Sequence, residues 1–422
     1  MNHNLLKTVI YDQHEVIRSA EIVPREYDFE PNANYVLVGL RRAGKSTLLY
    51  KRARDLIASG VKWEQIIYIN FEDERLSEFA TADFNDIVSV QAEMSEEKGF
   101  FFFDEIQNIP GWEKFARRMA DAKESVYITG SNAKMLSRDI ETVLGGRYMT
   151  KYISPYNFRE YLTACGTAFD EKARLGTKTD GAIRKCFNEY FRFGGFPESL
   201  MFTAKREYVQ SIYQKVLLGD IISRNGIRND YAMKLLMKKT AESVRNEISF
   251  SKLHSAVTGV GTSVSKDSVI DYIRSAEDAY LLFDIKNYYA KFTEKESNPK
   301  YYFSDNGLIN LFLVDKDTAL LENLVAAGLR RKYGDGVYYI KSPKTRIDVD
   351  FYIPEQRLAI QAAYSIEGDA REREIDNLVH LAAASSDITR FVIVTMEDEE
   401  EIVTEKCRIE VIPAYKFLLD LK

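Results

Sequence analysis

The sequence predicts an α/β protein whose first third folds around a mostly parallel β-sheet. Short apolar runs alternate there with stretches that can form helices, which is typical of parallel strands joined by crossover helices. The run at 99–103 consists of one glycine and four phenylalanines, the continuous apolar pattern of a strand that is covered on both faces. The predicted strands are 35–38, 65–71, 99–103, 126–129 and 148–153.

A glycine-rich loop follows the first predicted strand. Residues 39–46 read Gly-Leu-Arg-Arg-Ala-Gly-Lys-Ser and fit the phosphate-binding pattern G-x-x-x-x-G-K-[ST]. A strand before this loop and a helix after it aim backbone N–H groups and the positive end of the helix dipole at one point. We expect Lys45 to reach the β- and γ-phosphates of ATP and Ser46 to bind Mg²⁺. The predicted nucleotide-binding residues are Gly39, Arg42, Ala43, Gly44, Lys45, Ser46 and Thr47.

Two carboxylates follow the phenylalanine-rich strand. Asp104 and Glu105 come directly after it, and the carboxyl ends of parallel strands face the crevice in which α/β sheets bind ligands. We expect Asp104 to hold Mg²⁺ and Glu105 to polarise the water that attacks the γ-phosphate. The competing interpretation is a solvated acidic pair at a strand end. The phosphate loop upstream favours the catalytic interpretation.

Polar residues after the fourth strand and an arginine before the fifth complete the predicted site. Asn132 is the predicted sensor of the γ-phosphate and Ser131 the alternate, although Asn132 is equally well placed to cap the helix expected from Ala133. Arg147 follows a glycine pair and could be presented to a phosphate as a finger, within the chain or towards a neighbouring subunit. A surface arginine in a turn explains the same pattern, so both interpretations of Arg147 stay open.

The composition is that of an ordinary soluble globular protein. The chain has 422 residues, 45% of them hydrophobic and 29% charged, which is enough for two or three domains. No apolar run approaches the ~20 residues of a membrane-spanning helix, and the first residues lack the apolar core of a secretory signal, so no membrane partner is expected. Three scattered cysteines favour reduced thiols in a cytoplasm and show no zinc-type spacing. The net charge of −6 argues against a general nucleic-acid coat.

The pattern changes twice along the chain. We predict an ATP-binding domain at 1–155, a helical, winged-helix-like region at 156–315 and a small α/β domain at 316–422. In the last of these, the predicted strands are 336–341, 348–353, 358–363 and 390–395. The acidic stretch 396–401 is predicted to be a solvated turn.

The middle region contains a pattern typical of a helix-turn-helix. Helical stretches at 251–257 and 264–282 are joined by a turn with two glycines, and strands at 280–287 and 300–304 could supply a wing. The second helix is rich in acidic residues, which are poorly suited to contact phosphates. Packing against a partner or the core is therefore at least as well supported as DNA contact.

Together these motifs resemble a family of bacterial and archaeal AAA-type P-loop ATPases. The family pattern is Gly-x-Arg-Arg-x-Gly-Lys-[Ser/Thr], Asp-Glu-Ile-Gln, Thr-Gly-Ser-[Ser/Asn] and Leu-x-Gly-Arg, and the resemblance continues almost to the end of the chain. The matching segments are 39–46, 104–107, 129–132, 144–147, 194–197, 301–308 and 322–325. The resemblance implies an ATPase core, a winged-helix-like middle region and a C-terminal domain of unknown function that is similar to PD-(D/E)xK nucleases.

The similarity to nucleases can be tested on individual residues. Such a site needs an Asp and a (Glu/Asp)-x-Lys on adjacent strands, where carboxylates hold Mg²⁺ and the lysine orients or activates water. Asp350 matches the Asp and Glu322 matches a helix carboxylate. Gln361 replaces the second carboxylate, and Ala363 replaces the lysine. We therefore expect a nuclease-like fold that is catalytically inactive and serves packing or recognition.

These observations predict a cytoplasmic, Mg²⁺-dependent switch protein that binds and hydrolyses ATP. Its nucleotide state is expected to change the arrangement of the C-terminal domains, which bind an unknown protein or DNA partner. The alternative is a DNA-binding or DNA-processing regulatory module with slow ATP turnover. Oligomeric state and partner are not determined by the sequence.

Overall fold

All five β-type runs predicted in the first third of the chain form strands in the computed structural model. The structure describes residues 1–131, 142–313 and 317–421. The strands are parallel throughout and form one sheet in the order β2-β3-β4-β1-β5. They are β1 (Asn34–Val38), β2 (Ile66–Asn70), β3 (Phe100–Asp104), β4 (Ser125–Gly130) and β5 (Tyr148–Tyr152).

The sheet is covered on both faces, which explains its continuous apolar strands. Alternate residues of the strands β1 to β4 enter two separate cores: Val36 and Phe103 lie in one, and Tyr35 and Phe102 in the other. Helices pack on these faces because they carry apolar residues at helical spacing. They are α1 (His3–Ser19), α2 (Lys45–Ala58), α3 (Phe84–Met94) and α4 (Trp112–Asp121). The fold class predicted for this part of the chain is confirmed.

The chain divides into two compact units. Unit 1 comprises Met1–Ser154 with Asp278–Tyr280, and unit 2 comprises Pro155–Glu277 with Leu281–Lys422. The boundary predicted between residues 315 and 316 lies inside unit 2. None of the helices in the described part of the chain is both long and apolar enough to cross a membrane.

Helices dominate the chain between residues 155 and 335 and recur near its end. They are α5 (Phe158–Ala164), α6 (Glu171–Arg174), α7 (Thr177–Phe193), α8 (Lys205–Lys215), α9 (Asp230–Glu242), α10 (Phe250–Thr258), α11 (Lys266–Asp278), α12 (Phe292–Ser297), α13 (Asn306–Ile309), α14 (Asp317–Tyr333), α15 (Asp369–Ala384) and α16 (Ala414–Asp420). A π-helical segment, Val216–Ser223, follows α8 directly.

An eight-stranded mixed sheet forms the second layer of unit 2, in the order β12-β13-β11-β10-β9-β8-β6-β7. Its strands are β6 (Leu282–Asn287), β7 (Lys300–Phe303), β8 (Tyr338–Ser342), β9 (Ile347–Ile353), β10 (Leu358–Ala362), β11 (Arg390–Thr395), β12 (Glu400–Val403) and β13 (Arg408–Pro413). The antiparallel pair β6–β7, which the sequence suggested as a wing, joins this sheet through the parallel pairing of β6 with β8. The predicted wing is thus part of the C-terminal sheet.

The acidic stretch at 396–401 was predicted to be a solvated turn. This prediction was wrong for its last two residues, which belong to a strand. Glu400–Val403 forms the edge strand β12, antiparallel to β13. The acidic side chains are compatible with an edge position because one side of the strand faces solvent, where charges discourage pairing with other chains. Glu401 forms an ion pair with Arg408 of the neighbouring strand at 3.0 Å.

Three segments that carried the family resemblance meet in a buried polar network of unit 2. The carboxylate of Asp305 accepts the backbone N–H groups of Gly195 and Gly307, each at 2.8 Å. Asn323 Nδ2 donates to Asn306 Oδ1 at 3.0 Å. All five residues are buried, so the network connects the end of α7, the start of α13 and the middle of α14. These motif residues therefore have a structural role that the sequence alone did not indicate.

Candidate nucleotide-binding site

The phosphate loop leaves β1 at the carboxyl edge of the parallel sheet. At Gly39, where φ is +144°, an added Cβ would lie only 2.1 Å from the carbonyl oxygen of Ile153. Gly44 has a left-handed backbone and caps the N-terminus of α2, which begins at Lys45. Only glycine allows the close approach at the first of these positions. The loop therefore reaches the helix N-terminus in a shape suited to binding an anion.

The side chains of Lys45 and Arg25 hold this loop in place. Lys45 binds carbonyl groups within the loop, and Arg25 joins the loop to the segment that follows β5. Nζ of Lys45 is 3.0 Å from the carbonyl oxygen of Gly39 and 3.1 Å from that of Leu40, and its side chain is 5% exposed. The Arg25 guanidinium donates to the carbonyl oxygens of Ala43 and Ser154, at 2.9 and 2.8 Å. No sequence motif indicated Arg25, because it lies in a segment without regular structure before β1.

Asp104 lies at the end of β3, and its carboxylate is buried. It accepts hydrogen bonds from the hydroxyls of Thr129 and Tyr68, the latter at 2.8 Å, and the Ser46 hydroxyl also acts on it. Burial raises the pKa of Asp104, the nearby Glu105 adds to this, and the three hydroxyls oppose it. The two predicted Mg²⁺ ligands, Ser46 and Asp104, are thus neighbours.

Glu105 is held by contacts from β4 and the residue that follows it. Its backbone is left-handed, with φ of 53°, and its N–H donates to Thr129 Oγ1 at 3.0 Å. Its carboxylate accepts a hydrogen bond from Ser131 Oγ at 3.2 Å and another from the side chain of Gln107. Ser131, the alternate sensor, therefore lies beside the predicted catalytic acid.

Thr129 and Tyr68 are residues of this site to which the sequence analysis gave no role, although Thr129 lies in the matching segment 129–132. Thr129 Oγ1 donates to Asp104 and accepts from the N–H of Glu105, so one hydroxyl connects both acids. Each carries a hydroxyl within a buried, largely apolar part of its strand. That interruption of the apolar pattern is the sequence signal from which they could have been found.

The structure places the remaining predicted residues as follows. Arg42 has a left-handed backbone in the loop, Ala43 is buried there, and Thr47 lies half-buried in the first turn of α2. Asn132 lies outside the described residues. The structure does not bring Arg147 to the loop.

Arg147 lies at the opposite edge of the sheet from the phosphate loop. It directly precedes β5, whose first residue pairs with Asn34, the first residue of β1. Its guanidinium forms an ion pair with Asp121 at the end of α4. The five residues of β1 separate this edge from the loop, roughly 16 Å at 3.3 Å per residue. A finger acting within the chain is therefore not supported by this geometry, and a role towards a neighbouring subunit stays a prediction.

The oxygen donors at the carboxyl edge fit Mg²⁺. In the described parts of the chain, no three His, Cys, Asp or Glu side chains are placed to bind a metal ion together. Mg²⁺ in nucleotide sites is usually held by one or two protein oxygens, with phosphate oxygens and water completing its shell. Ser46 and Asp104 supply such a pair of oxygens.

The nuclease-like residues of unit 2 form a different kind of cluster. Lys300, on β7, places its Nζ 3.1 Å from Asp350 Oδ1 and 3.5 Å from Glu322 Oε1. Glu322 also accepts from the hydroxyl of Tyr302 at 2.8 Å and from Nε of Arg245 at 3.1 Å. Burial opposes the charge of Lys300, but Glu322 and Asp350 together raise its pKa. The ammonium therefore stays charged between the two carboxylates.

Gln361 is fully used in holding this cluster together. Its Oε1 accepts the N–H of Asp350 at 2.8 Å, and its Nε2 donates to the carbonyl oxygen of Asp348 and to Glu374 Oε2, at 3.0 and 2.7 Å. The second carboxylate oxygen of Asp350 accepts the N–H of Ala362 at 3.1 Å. A buried ion-pair network of this kind is favourable only when such additional hydrogen bonds satisfy its oxygens.

Comparisons with known proteins match an AAA domain in the N-terminal part and two relatives over more than 90% of the chain. Residues 31–162 match the model of an AAA domain, and residues 184–319 match DUF8612, a domain of unknown function. An uncharacterized protein of Methanocaldococcus jannaschii is 32% identical over 438 residues, covering 98% of this chain and 95% of that protein. An uncharacterized protein of Haemophilus influenzae is 31% identical over 397 residues, covering 91% and 94%.

Among solved structures, a Walker-type ATPase of Pyrococcus abyssi is similar to this chain with a TM-score of 0.42 and 13% identity. The similarity covers 70% of this chain and 99% of that one. The family assignment rests on the two full-length relatives and on the AAA domain model. This chain belongs to the family of these two archaeal and bacterial proteins, and it carries the AAA domain of P-loop ATPases in its N-terminal part.

Proposed function

We propose that this chain is a cytoplasmic, Mg²⁺-dependent ATPase that works as a nucleotide-controlled switch. Lys45 and the loop N–H groups bind the phosphates of ATP, and Ser46 and Asp104 hold the Mg²⁺. Glu105 orients the attacking water and accepts its proton. The nucleotide state changes the arrangement of the C-terminal part of the chain, which binds a protein or DNA partner.

The observation that carries this proposal is the position of the buried Asp104 carboxylate, which ends β3 and accepts the hydroxyls of Tyr68 and Thr129 at the edge where the phosphate loop leaves the sheet. The Ser46 hydroxyl lowers the pKa of this carboxylate, so the loop hydroxyl and the strand-end carboxylate are neighbours and can supply two oxygen donors for one Mg²⁺. Glu105 follows Asp104 directly and points its carboxylate at the Ser131 hydroxyl. When Mg²⁺ is bound, it neutralises the charge that develops on the β- and γ-phosphates.

The test compares nucleotide binding and single-turnover hydrolysis in three site variants of the full chain and one control variant. Lys45→Ala should abolish ATP binding or turnover, because a positive charge on the phosphates is lost. Glu105→Gln should retain ATP but slow hydrolysis by roughly 10²-fold or more, the scale of a lost general base. Asp104→Asn should weaken the Mg²⁺-dependent part of binding. Wild-type turnover in Lys45→Ala would disprove the site.

Lys51→Ala is the matched control. Lys51 lies on the same helix as Lys45 but forms a surface ion pair with Asp55 at 2.7 Å, so its loss should leave both measurements unchanged. The same data separate the two classes of function. If bound ATP is hydrolysed before it dissociates, the chain is an ATPase. If intact ATP stays bound for a long time, the chain is a regulatory module with slow turnover.

A further inference from the structure

The chain leaves unit 1 beside the phosphate loop, through residues 153–154, which we call the exit segment. Ser154 is the last residue of unit 1 before the chain enters unit 2, and both it and Ile153 are buried. The N–H of Ile153 donates to the carbonyl oxygen of Val38 at 2.7 Å, directly before the loop. The carbonyl of Ile153 lies against Gly39, where a Cβ would be only 2.1 Å from its oxygen. The exit segment and the start of the loop therefore pack backbone against backbone.

Arg25 makes a second connection, nearer the other end of the loop. Its Nη1 donates to the carbonyl oxygen of Ala43 at 2.9 Å, and its Nη2 donates to that of Ser154 at 2.8 Å. The planar guanidinium presents its donors in a fixed fork, and its charge makes each hydrogen bond stronger than one between neutral groups. One side chain thus ties the loop to the exit segment.

The hydrogen bond to Ala43 also fixes the direction of a loop N–H group. The carbonyl of Ala43 and the N–H of Gly44 belong to one planar trans peptide, so they point in opposite directions. Because Arg25 holds the carbonyl, the N–H of Gly44 points away from the guanidinium. The charge of Arg25 also polarises this peptide, which makes its N–H a better donor to an anion.

We propose that Arg25 is a positioning residue of the nucleotide site, through which the loop and the exit segment respond together to bound nucleotide. The inference rests on the function proposed above and deepens it, because it names the connection by which the state of the loop reaches the chain before unit 2. A phosphate that binds the N–H of Gly44 fixes the Ala43 peptide, and Arg25 passes this order to Ser154. The coupling is reciprocal, so an ordered exit segment also favours nucleotide binding.

Arg54 provides the matched control. It also lies in unit 1, and its Nε and Nη2 donate to three carbonyl oxygens at the C-terminal end of α1, each at 2.7 Å. These are the carbonyls of Ile17, Arg18 and Ala20. Arg54→Ala therefore removes the same kind of contact outside the loop and the exit segment. A loss that is specific to Arg25 variants cannot be a general loss of stability.

The experiment measures hydrogen–deuterium exchange in the full-length wild type, Arg25→Ala, Arg25→Lys and Arg54→Ala. Without nucleotide, Arg25→Ala should speed exchange about 10-fold in the peptides covering 39–46 and 148–154, the scale of one lost charge-assisted hydrogen bond. Arg54→Ala should leave both peptides unchanged. With Mg²⁺ and a non-hydrolysable ATP analogue, the wild type should be protected in both peptides, the amide of Ile153 included.

The same four proteins are compared for their affinity for the ATP analogue. Arg25→Ala should bind it roughly 10-fold more weakly, and at saturation the peptide 39–46 should be protected while 148–154 is not. Arg25→Lys retains the charge but lacks the fork, so its affinity and its protection of 148–154 should lie between those of Arg25→Ala and the wild type. Arg54→Ala should have the wild-type affinity, whatever its free energy of unfolding.

The outcomes separate this inference from the proposed function. A wild type that binds no ATP analogue would overturn both. Wild-type binding with the same affinity and exchange in Arg25→Ala would overturn the inference alone, as would equal effects of Arg25→Ala and Arg54→Ala. Protection of 39–46 without protection of 148–154 in the wild type would also overturn it, and that measurement needs no variant to fold.

Discussion

At the scale of single residues, one hydroxyl in the nucleotide site connects both acidic groups. Thr129 donates to Asp104 and accepts from the backbone of Glu105, whose left-handed φ of 53° is unfavourable for a residue with a side chain. That hydrogen bond helps to hold Glu105 in the conformation that aims its carboxylate. Thr129 is completely buried, so water cannot replace its hydroxyl.

The first prediction concerns Thr129 as a positioning residue. Thr129→Val keeps the shape but removes the hydroxyl, so Asp104 and the N–H of Glu105 each lose a partner. We expect turnover to fall on the order of 10-fold to 10²-fold, the effect of a small misplacement of catalytic groups, with a smaller loss of nucleotide affinity. Steady-state kinetics and direct binding measurements test this.

Thr129→Ser is the discriminating variant, because it retains the hydroxyl and loses only a methyl group. It should recover most of the turnover that Thr129→Val loses. If both variants lose turnover equally, the methyl packing of Thr129 matters and its hydroxyl does not. If Thr129→Val has wild-type kinetics, Thr129 has no positioning role.

At the scale of elements, the buried network around Asp305 joins helices that are far apart in sequence. Its carboxylate accepts two backbone N–H groups, one at the end of α7 and one in α13. Burial nevertheless raises the pKa of Asp305 to about 6, although both hydrogen bonds oppose this. The folded chain is therefore less stable when the Asp305 carboxylate is ionised than when it is protonated.

The second prediction is a pH dependence of stability in this network. Because the folded-state pKa is raised from 3.8 to about 6, the folded chain binds more protons than the unfolded chain between these values. The stabilisation from Asp305 is complete below about pH 4 and lost as pH rises through 6, by up to about 3 kcal/mol.

Denaturant unfolding of the wild type and Asp305→Asn across this pH range provides the measurement. The variant cannot titrate at this position, so the wild-type free energy of unfolding minus that of Asp305→Asn should decrease as pH rises from 4 to 7. Using the difference cancels the titration of the other acids. A difference that is flat with pH would show that Asp305 ionises as freely in the folded chain as in the unfolded one.

At the scale of the whole molecule, the position of Arg147 leaves one hypothesis for it as a finger: it would act on the nucleotide site of a second copy of the chain. The third prediction is that Arg147→Ala lowers turnover more than affinity, since a finger acts on charge in the transition state. A mixture of Arg147→Ala with Glu105→Gln should recover activity, because each chain supplies what the other lacks.

Arg117→Ala is the control for this experiment, because Arg117 also pairs with Asp121, at 3.8 Å. Its loss should leave turnover unchanged. Normal turnover in Arg147→Ala would assign that arginine to the Asp121 ion pair alone. Reduced turnover without recovery in the mixture would argue against a role between copies.

The fourth prediction concerns the nuclease-like cluster of unit 2. The ammonium of Lys300 lies between Glu322 and Asp350, the two carboxylates that the sequence analysis compared with nuclease metal ligands, and Gln361 is committed to other hydrogen bonds. We expect the purified chain to leave linear, supercoiled and single-stranded DNA intact with Mg²⁺ or Mn²⁺. Gel analysis over extended incubation tests this, and cleavage that disappears in Asp350→Ala would contradict it.

The sequence by itself determined the parallel sheet of unit 1 and the residues of its phosphate loop. Both are local properties: a buried strand between crossover helices is a continuous apolar run, and the loop needs glycine, lysine and a hydroxyl at fixed spacing. The edge strand β12 escaped prediction because its acidic residues resemble a solvated turn, and only pairing with β13 made it a strand.

The tertiary structure alone decided which distant side chains meet. Thr129 reaches Asp104 because β3 and β4 are neighbours in the sheet, and Lys300 meets Asp350 although their strands, β7 and β9, are separated by β6 and β8 in the C-terminal sheet. Arg147 follows a promising glycine pair, but parallel register places it at the wrong edge for its own loop. The physical reason is that spacing along a chain fixes local geometry, whereas contacts between elements depend on strand order and packing, which no short motif encodes.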